Sequence, residues 1–139
     1  GILFAEGSDK ATIDKLKSDV EAQGGSVMLV APKVGEMKVK GGKLAADGQL
    51  AGSPSVIFDA VAMVLMPEQV EKLKKDAAAK AWVSDAYAHL KAIGHCPGSK
   101  ALLDHCHIEA DEGVVKNEDF VAAASKRYWD REPKVRDLA

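Results

Sequence analysis

Lys91-Ala92-Ile93-Gly94-His95-Cys96-Pro97-Gly98, running on into Ser99-Lys100-Ala101-Leu102-Leu103, reads as a short buried strand, a sharp Pro-Gly turn and the first turns of a helix. In open α/β sheets, ligands and nucleophiles collect at the carboxyl ends of strands, where strand order reverses. Any chemistry in this chain should therefore be sought here. Its nature depends on whether Cys96 sits where a nucleophile must.

Upstream, Ile2 to Ala5 is an apolar run of the kind covered on both faces of a parallel sheet. Glu6-Gly7-Ser8 turns it, and Ser8 is placed to cap a helix with Asp9 in the first turn. Ile13, Leu16 and Val20 make one apolar stripe on that helix, and Gly24-Gly25 ends it. Val27 to Val30 is a second apolar strand, stopped by Pro32. Strand, helix and strand in about 30 residues form a βαβ unit with parallel strands.

The rhythm then breaks. Met37 to Lys40 alternates apolar and polar, Gly41-Gly42 fits a two-residue turn, and Lys43 to Ala46 returns, so a β-hairpin is expected. Lys38, Lys40 and Lys43 suit a solvated, lysine-protected edge better than an anion site. Asp47-Gly48 reads as another turn.

Ala60 to Met66 is the next buried strand, and Pro67 suits the first position of a helix carrying Val70 and Leu73. A second helix from Asp76 to Lys91 lines up Trp82, Ala86 and Leu90, with His89 beside that stripe. Beyond the Pro-Gly turn, Leu102, Leu103 and Cys106 predict a short helix. Val114-Val115 is a last strand. Asn117 can cap a final helix carrying Phe120, Val121, Ala124 and Tyr128, and residues 131–139 read as an extended tail. The order β-α-β, hairpin, β-α-α-β-α-β-α predicts one domain over residues 1–139. It is a three-layer α/β/α sandwich with a mostly parallel sheet, flavodoxin-like, with an inserted β-hairpin.

Composition excludes several functions. A net charge of −2 lacks the clustered cations of a nucleic-acid binder. No apolar run approaches a membrane span of about 18 residues. Cys96 and Cys106 form no disulfide framework and read as free thiols. The opening on Gly1-Ile2-Leu3-Phe4, already inside a strand, suggests a piece of a longer protein.

Among chemical candidates, the first βα turn has one glycine and two carboxylates, a poor phosphate cradle for FMN. Glu6 and Asp9 make an equally poor phospho-acceptor cluster. Asp104, His105, Cys106 and His107 resemble a metal patch, with both histidines on one face if the stretch is a strand, but lack paired zinc-ligand spacing. No metal or cofactor site is expected. Cys96 could be activated by a helix N-terminus and a neighbouring His95. Adjacent strand residues point to opposite faces, however, and a free cysteine is most often a small buried hydrophobe.

The strand-turn-helix frame and element order resemble the PfpI/ThiJ (class I glutamine amidotransferase-like) superfamily. More specifically, Lys91-Ala92-Ile93, Glu112-Gly113-Val114-Val115 and the ending Arg127-Tyr128-Trp129-Asp130-Arg131-Glu132-Pro133-Lys134 resemble the C-terminal domain of large-subunit haem catalases. The likeness runs along nearly the whole chain and feels nearest to fungal members. Active PfpI-type proteins carry Cys-His-Gly at the turn and a carboxylate after the first strand. Counted from Lys91, the nucleophile position falls on Pro97, with His95-Cys96-Pro97-Gly98 scrambled around it. The carboxylate position falls near Ala11, with Glu6 and Asp9 offset.

The resemblance implies a domain with the fold but not the activity, and no catalytic residue of its own. The haem and peroxide chemistry would belong to an absent core. Its implied partners are that core, neighbouring subunits of a homotetramer and, for an excised module, unfolded clients docking on residues 37–46 or around Tyr128 and Trp129. A thiol hydrolase or redox domain using Cys96 and His95 is the alternative.

Overall fold

The computed structural model describes residues 1–136. Six strands form one parallel sheet: β1 (Ile2–Phe4), β2 (Leu29–Ala31), β5 (Gly48–Gln49), β6 (Val61–Val64), β7 (Ile93–His95) and β8 (Val114–Lys116). Their spatial order is β5-β2-β1-β6-β7-β8, with Ile2 beside both Leu29 and Ala62, and Ile93 beside Val61 and Val114. The order reverses between β1 and β6, so the point where ligands collect in such sheets lies there, next to the turn after β7.

Apolar runs in the strands are apolar because both faces are covered. Leu3, Val30, Met63 and Ile93 join one buried cluster with α2 (Pro67–Leu73), α3 (Ala77–Ala88) and α4 (Lys100–His105). Ile2, Phe4, Leu29, Ala62 and Val64 join the other with α1 (Lys10–Ala22) and α5 (Phe120–Ala123). This is the three-layer sandwich expected. Trp82 and Ala86 on α3, and Leu90 just past its end, are buried, and the Trp82 indole donates to Ser53 O at 3.1 Å.

Helices α1, α3 and α4 end alike. A left-handed residue (Gly24, Leu90 and His107 in turn) follows the cap, and the next amide donates back to Val20, Ala86 and Leu103 respectively. Only α1 uses the glycine that makes such an end legible.

Several expectations are corrected. The hairpin pairs β3 (Glu36–Val39) with β4 (Gly42–Ala45) as a separate two-stranded sheet, and Val39 faces Gly42, so its turn is Lys40-Gly41 rather than Gly41-Gly42. The cause is a second demand on Lys40. Its N–H donates to Ser8 O at 2.9 Å and its carbonyl accepts from Lys10 N at 3.0 Å, while Lys38 O accepts from Gly7 N at 2.9 Å. The hairpin thus lies across the start of α1 instead of standing free. The sheet's edge on this side is β5, where a turn was expected at Asp47-Gly48. Asp47 does anchor it, accepting Leu29 N at 2.8 Å.

The C-terminal part also differs. Asn117 does not cap a long helix: its Nδ2 donates to Met63 O at 2.9 Å, and α5 is a single turn. The expected extended tail is instead a 3-10 turn over Trp129–Arg131 followed by α6 (Glu132–Arg136); its last three residues lie outside the described ones.

Candidate functional site at the strand-turn-helix elbow

Cys96 leaves β7 and its backbone is locked by Ser99, a fully buried serine. Cys96 N–H donates to Ser99 Oγ at 2.8 Å, and Ser99 Oγ donates to Cys96 O at 3.0 Å. The turn is pressed against the end of β6. A Cβ on Gly98 would collide with Leu65 O and lie 3.1 Å from Met66 Cα and Pro67 Cδ, so only glycine fits. The half-buried Cys96 thiol donates to Leu65 O at 3.2 Å and lies 3.3 Å from Ser99 Oγ. Both partners are neutral. A nucleophilic thiol needs a base in hydrogen-bond reach, and neither a histidine nor a carboxylate hydrogen-bonds to this sulfur among the described residues.

His95 shares the face of Ile93, as strand alternation requires. Its Nδ1 is buried without a partner, and burial, ahead of nearby Lys100 and Lys116, holds the imidazole below the usual histidine range. Pro97, where the resemblance led a nucleophile to be expected, is exposed and carries no nucleophilic atom.

At the strand-order reversal, sequence reasoning missed the residues that matter. Ser8, expected to cap α1, is fully buried and caps nothing; the helix starts at Lys10 after Asp9. The Ser8 hydroxyl accepts Ala5 N–H at 3.0 Å, donates to Val64 O at 2.6 Å, and lies 3.2 Å from Gln69 Oε1. Gln69 Oε1 also accepts Met66 N–H at 2.8 Å, and its Nε2 donates to Glu6 O. Two buried polar side chains thus tie β1, β6 and α2 together at the strand-order reversal. The available signal was Gln69 at the third position of a Pro-started helix, half of a capping box.

The amides that would cradle a phosphate at the first βα turn are also committed, Gly7 to Lys38, Ser8 to Ala5 and Lys10 to Lys40. Glu6 is exposed, and Asp9 Oδ2 accepts from Thr12 Oγ1 at 2.7 Å.

The Asp104-to-His107 patch is the end of α4, the short helix expected there: Asp104 pairs with Lys100, His107 takes the left-handed position, and the Cys106 thiol is pushed up by burial. Among the described residues no group of three or more His, Cys, Asp or Glu could hold a metal ion.

A second polar centre was also missed. Arg131, assigned from sequence to a loose tail, is 2% exposed. It pairs with Asp111, donates to Tyr87 O and Lys91 O at 3.1 and 3.0 Å, and stacks 4.3 Å from the Tyr87 ring centroid. Arg127 reaches Asp59 O at 2.6 Å, and Lys134 pairs with Glu109 at 2.8 Å. The charged ending is therefore a fastening.

The parallel sheet between helical layers, with its strand-turn-helix elbow, has the fold of solved DJ-1-like proteins. DJ-1beta of Drosophila melanogaster superposes with a TM-score of 0.76 at 10% identity, covering 99% of this chain and 94% of that one. A DJ-1 superfamily protein of Salmonella typhimurium gives 0.74 at 18%, with the same coverages. Such identities establish the fold alone. The family model for the C-terminal domain found in long catalases matches residues 1–131, and the chain belongs to that family.

"Catalase C" of Rhizobium meliloti (strain 1021) is 38% identical over 98% of this chain, and "Catalase HPII" of Pseudomonas putida 30% over 94%. "Catalase-B" of Dictyostelium discoideum is 28% identical over 96%. The chain spans 21%, 19% and 21% of these relatives, about a fifth of each. They lend no support to a fungal affinity.

Proposed function

We propose that residues 1–139 are the non-catalytic C-terminal domain of a long catalase, which stabilises the enzyme by packing on its core and, through it, the homotetramer. Hydrogen peroxide dismutation and its haem belong to the rest of such a chain. The observation that carries this reading is the elbow thiol, bonded to Leu65 O and Ser99 Oγ, with no acid or base hydrogen-bonded to it among the described residues. The ties of Ser8 and Gln69 at the strand-order reversal support it, because these buried polar groups are committed to holding β1, β6 and α2 together.

Neither of the two tyrosines is placed as the axial ligand that a catalase haem uses. The Tyr128 hydroxyl is donated to Ala123 O at 2.7 Å, and Tyr87 lies under the Arg131 guanidinium. Neither is free to ligate iron.

Client binding is the weaker reading on surface grounds. Of the segments expected to dock clients, Met37 and Leu44 are half-buried against the core and Tyr128 is 7% exposed; Trp129, at 70%, is the large apolar group left open. Light scattering of a heat-denaturing enzyme beside the 139-residue chain should match that beside an inert protein.

The test compares the long enzyme with and without this domain, and with Cys96→Ser. Truncation should shorten the half-life at elevated temperature while leaving the initial rate of peroxide decomposition per haem unchanged. Cys96→Ser should change neither. A drop in initial rate on Cys96→Ser would favour the thiol-enzyme reading with Cys96 and His95.

A further inference from the structure

At the end of the sheet opposite the elbow, an open groove of about 520 Å³ runs between the end of α1, the start of β1 and the α5 turn. Val20, Ile2, Phe120, Val121 and Ala124 make its apolar walls, and Ile57, 58% exposed, stands at its rim. Gly1 lies in it and is already part of the sheet: its nitrogen is 3.0 Å from Ala60 O, and its carbonyl accepts Ala62 N–H at 2.9 Å. A residue preceding Gly1 would be joined at this nitrogen, beside the groove.

We propose that this groove is the seat of the segment immediately preceding Gly1 in the long-catalase chain, which packs its side chains against Val20, Phe120 and Ala124. The inference rests on the reading of this domain as the one that follows the catalase core. Matching relatives are about five times as long as this chain and the family is defined as their C-terminal domain, so a connecting segment is the occupant the topology supplies. Burying apolar side chains there would fix the domain's orientation on the core, where a free linker would leave it loose.

The experiment is hydrogen exchange on the full-length enzyme, comparing the natural segment with a Gly/Ser replacement of equal length. Amides of residues 20–27 and 120–125 should exchange at least tenfold faster in the replacement, while β1 and β6 stay protected. A reciprocal variant, Ala124→Trp, fills the groove from the domain side and should speed exchange and proteolysis in the segment itself. Unchanged exchange on both sides overturns the proposal; so does protection that survives replacement, which would assign the groove to the core. Heat inactivation of the truncated enzyme is a separate readout: a half-life unaffected by truncation defeats the stabilising role without touching the groove.

Discussion

Arg131 holds Asp111 by two parallel hydrogen bonds, Nε to Oδ2 at 2.8 Å and Nη2 to Oδ1 at 2.9 Å. Its remaining nitrogen bonds the carbonyls of Tyr87 and Lys91, so one side chain joins the end of α3, the approach to β8 and the C-terminal segment. Arg131→Ala should destabilise the chain by about 1.5–3 kcal/mol, the worth of hydrogen bonds to a charged group, since Asp111, 26% exposed, can rehydrate. Urea unfolding measures it. Arg131→Lys should recover little, because an ammonium cannot make the fork and the ring stacking together.

The same pair predicts an acid response. Burial alone would raise the Asp111 carboxyl, but the Arg131 bonds and charge and the Gly113 and Val114 amides outweigh it and hold the group below its usual range. A depressed folded value means the unfolded state binds the proton more readily. The stabilisation is complete above the unfolded value of about 3.9 and is lost as pH falls through the folded one. Asp111→Asn should therefore lower stability at neutral pH and flatten the loss below about pH 4. An unchanged acid slope would point to other carboxylates.

Ser8→Ala leaves the Ala5 N–H without its acceptor in a buried position. The expected cost is about 1–3 kcal/mol, the penalty for an unsatisfied buried polar group. Ser8→Cys should not restore it, since sulfur is a weak acceptor. Equilibrium denaturation of both variants checks the ranking.

Gly98→Ala tests the packing of the elbow. A methyl group directed at Leu65 O has no room unless β6 or the turn moves, and overpacking of this kind costs about 1–3 kcal/mol. Melting temperature is the readout, with Gly52→Ala, where nothing lies within 4 Å of the new methyl, as the control.

The parallel sheet was legible because its strands are apolar on both faces and its helices carry stripes at helical spacing. Ile2–Phe4, Val61–Val64 and Trp82-Ala86-Leu90 needed no tertiary information. The hairpin turn slipped by one residue because Lys40 answers to Ser8 and Lys10, partners about thirty positions away that no local pattern displays. Arg131 was hidden for a similar reason. Its neighbours in sequence are charged, and only the distant Asp111 and Tyr87 make burial tolerable. At the elbow the geometry of turn and cysteine was readable, while the commitment of Ser8 and Gln69 between strands was not.

Because the hairpin supplies the backbone acceptors for Gly7 and Lys10, the first turn of α1 has no cap of its own making. Asp9 gives it no side-chain cap bond either. A segment some thirty residues later must be folded back and seated before the Lys10 N–H has its acceptor. Helix start and insertion therefore form one kinetic unit: the amides of residues 7, 10 and 40 should open together in native-state exchange, and a chain that stalls before residue 45 should carry a frayed α1.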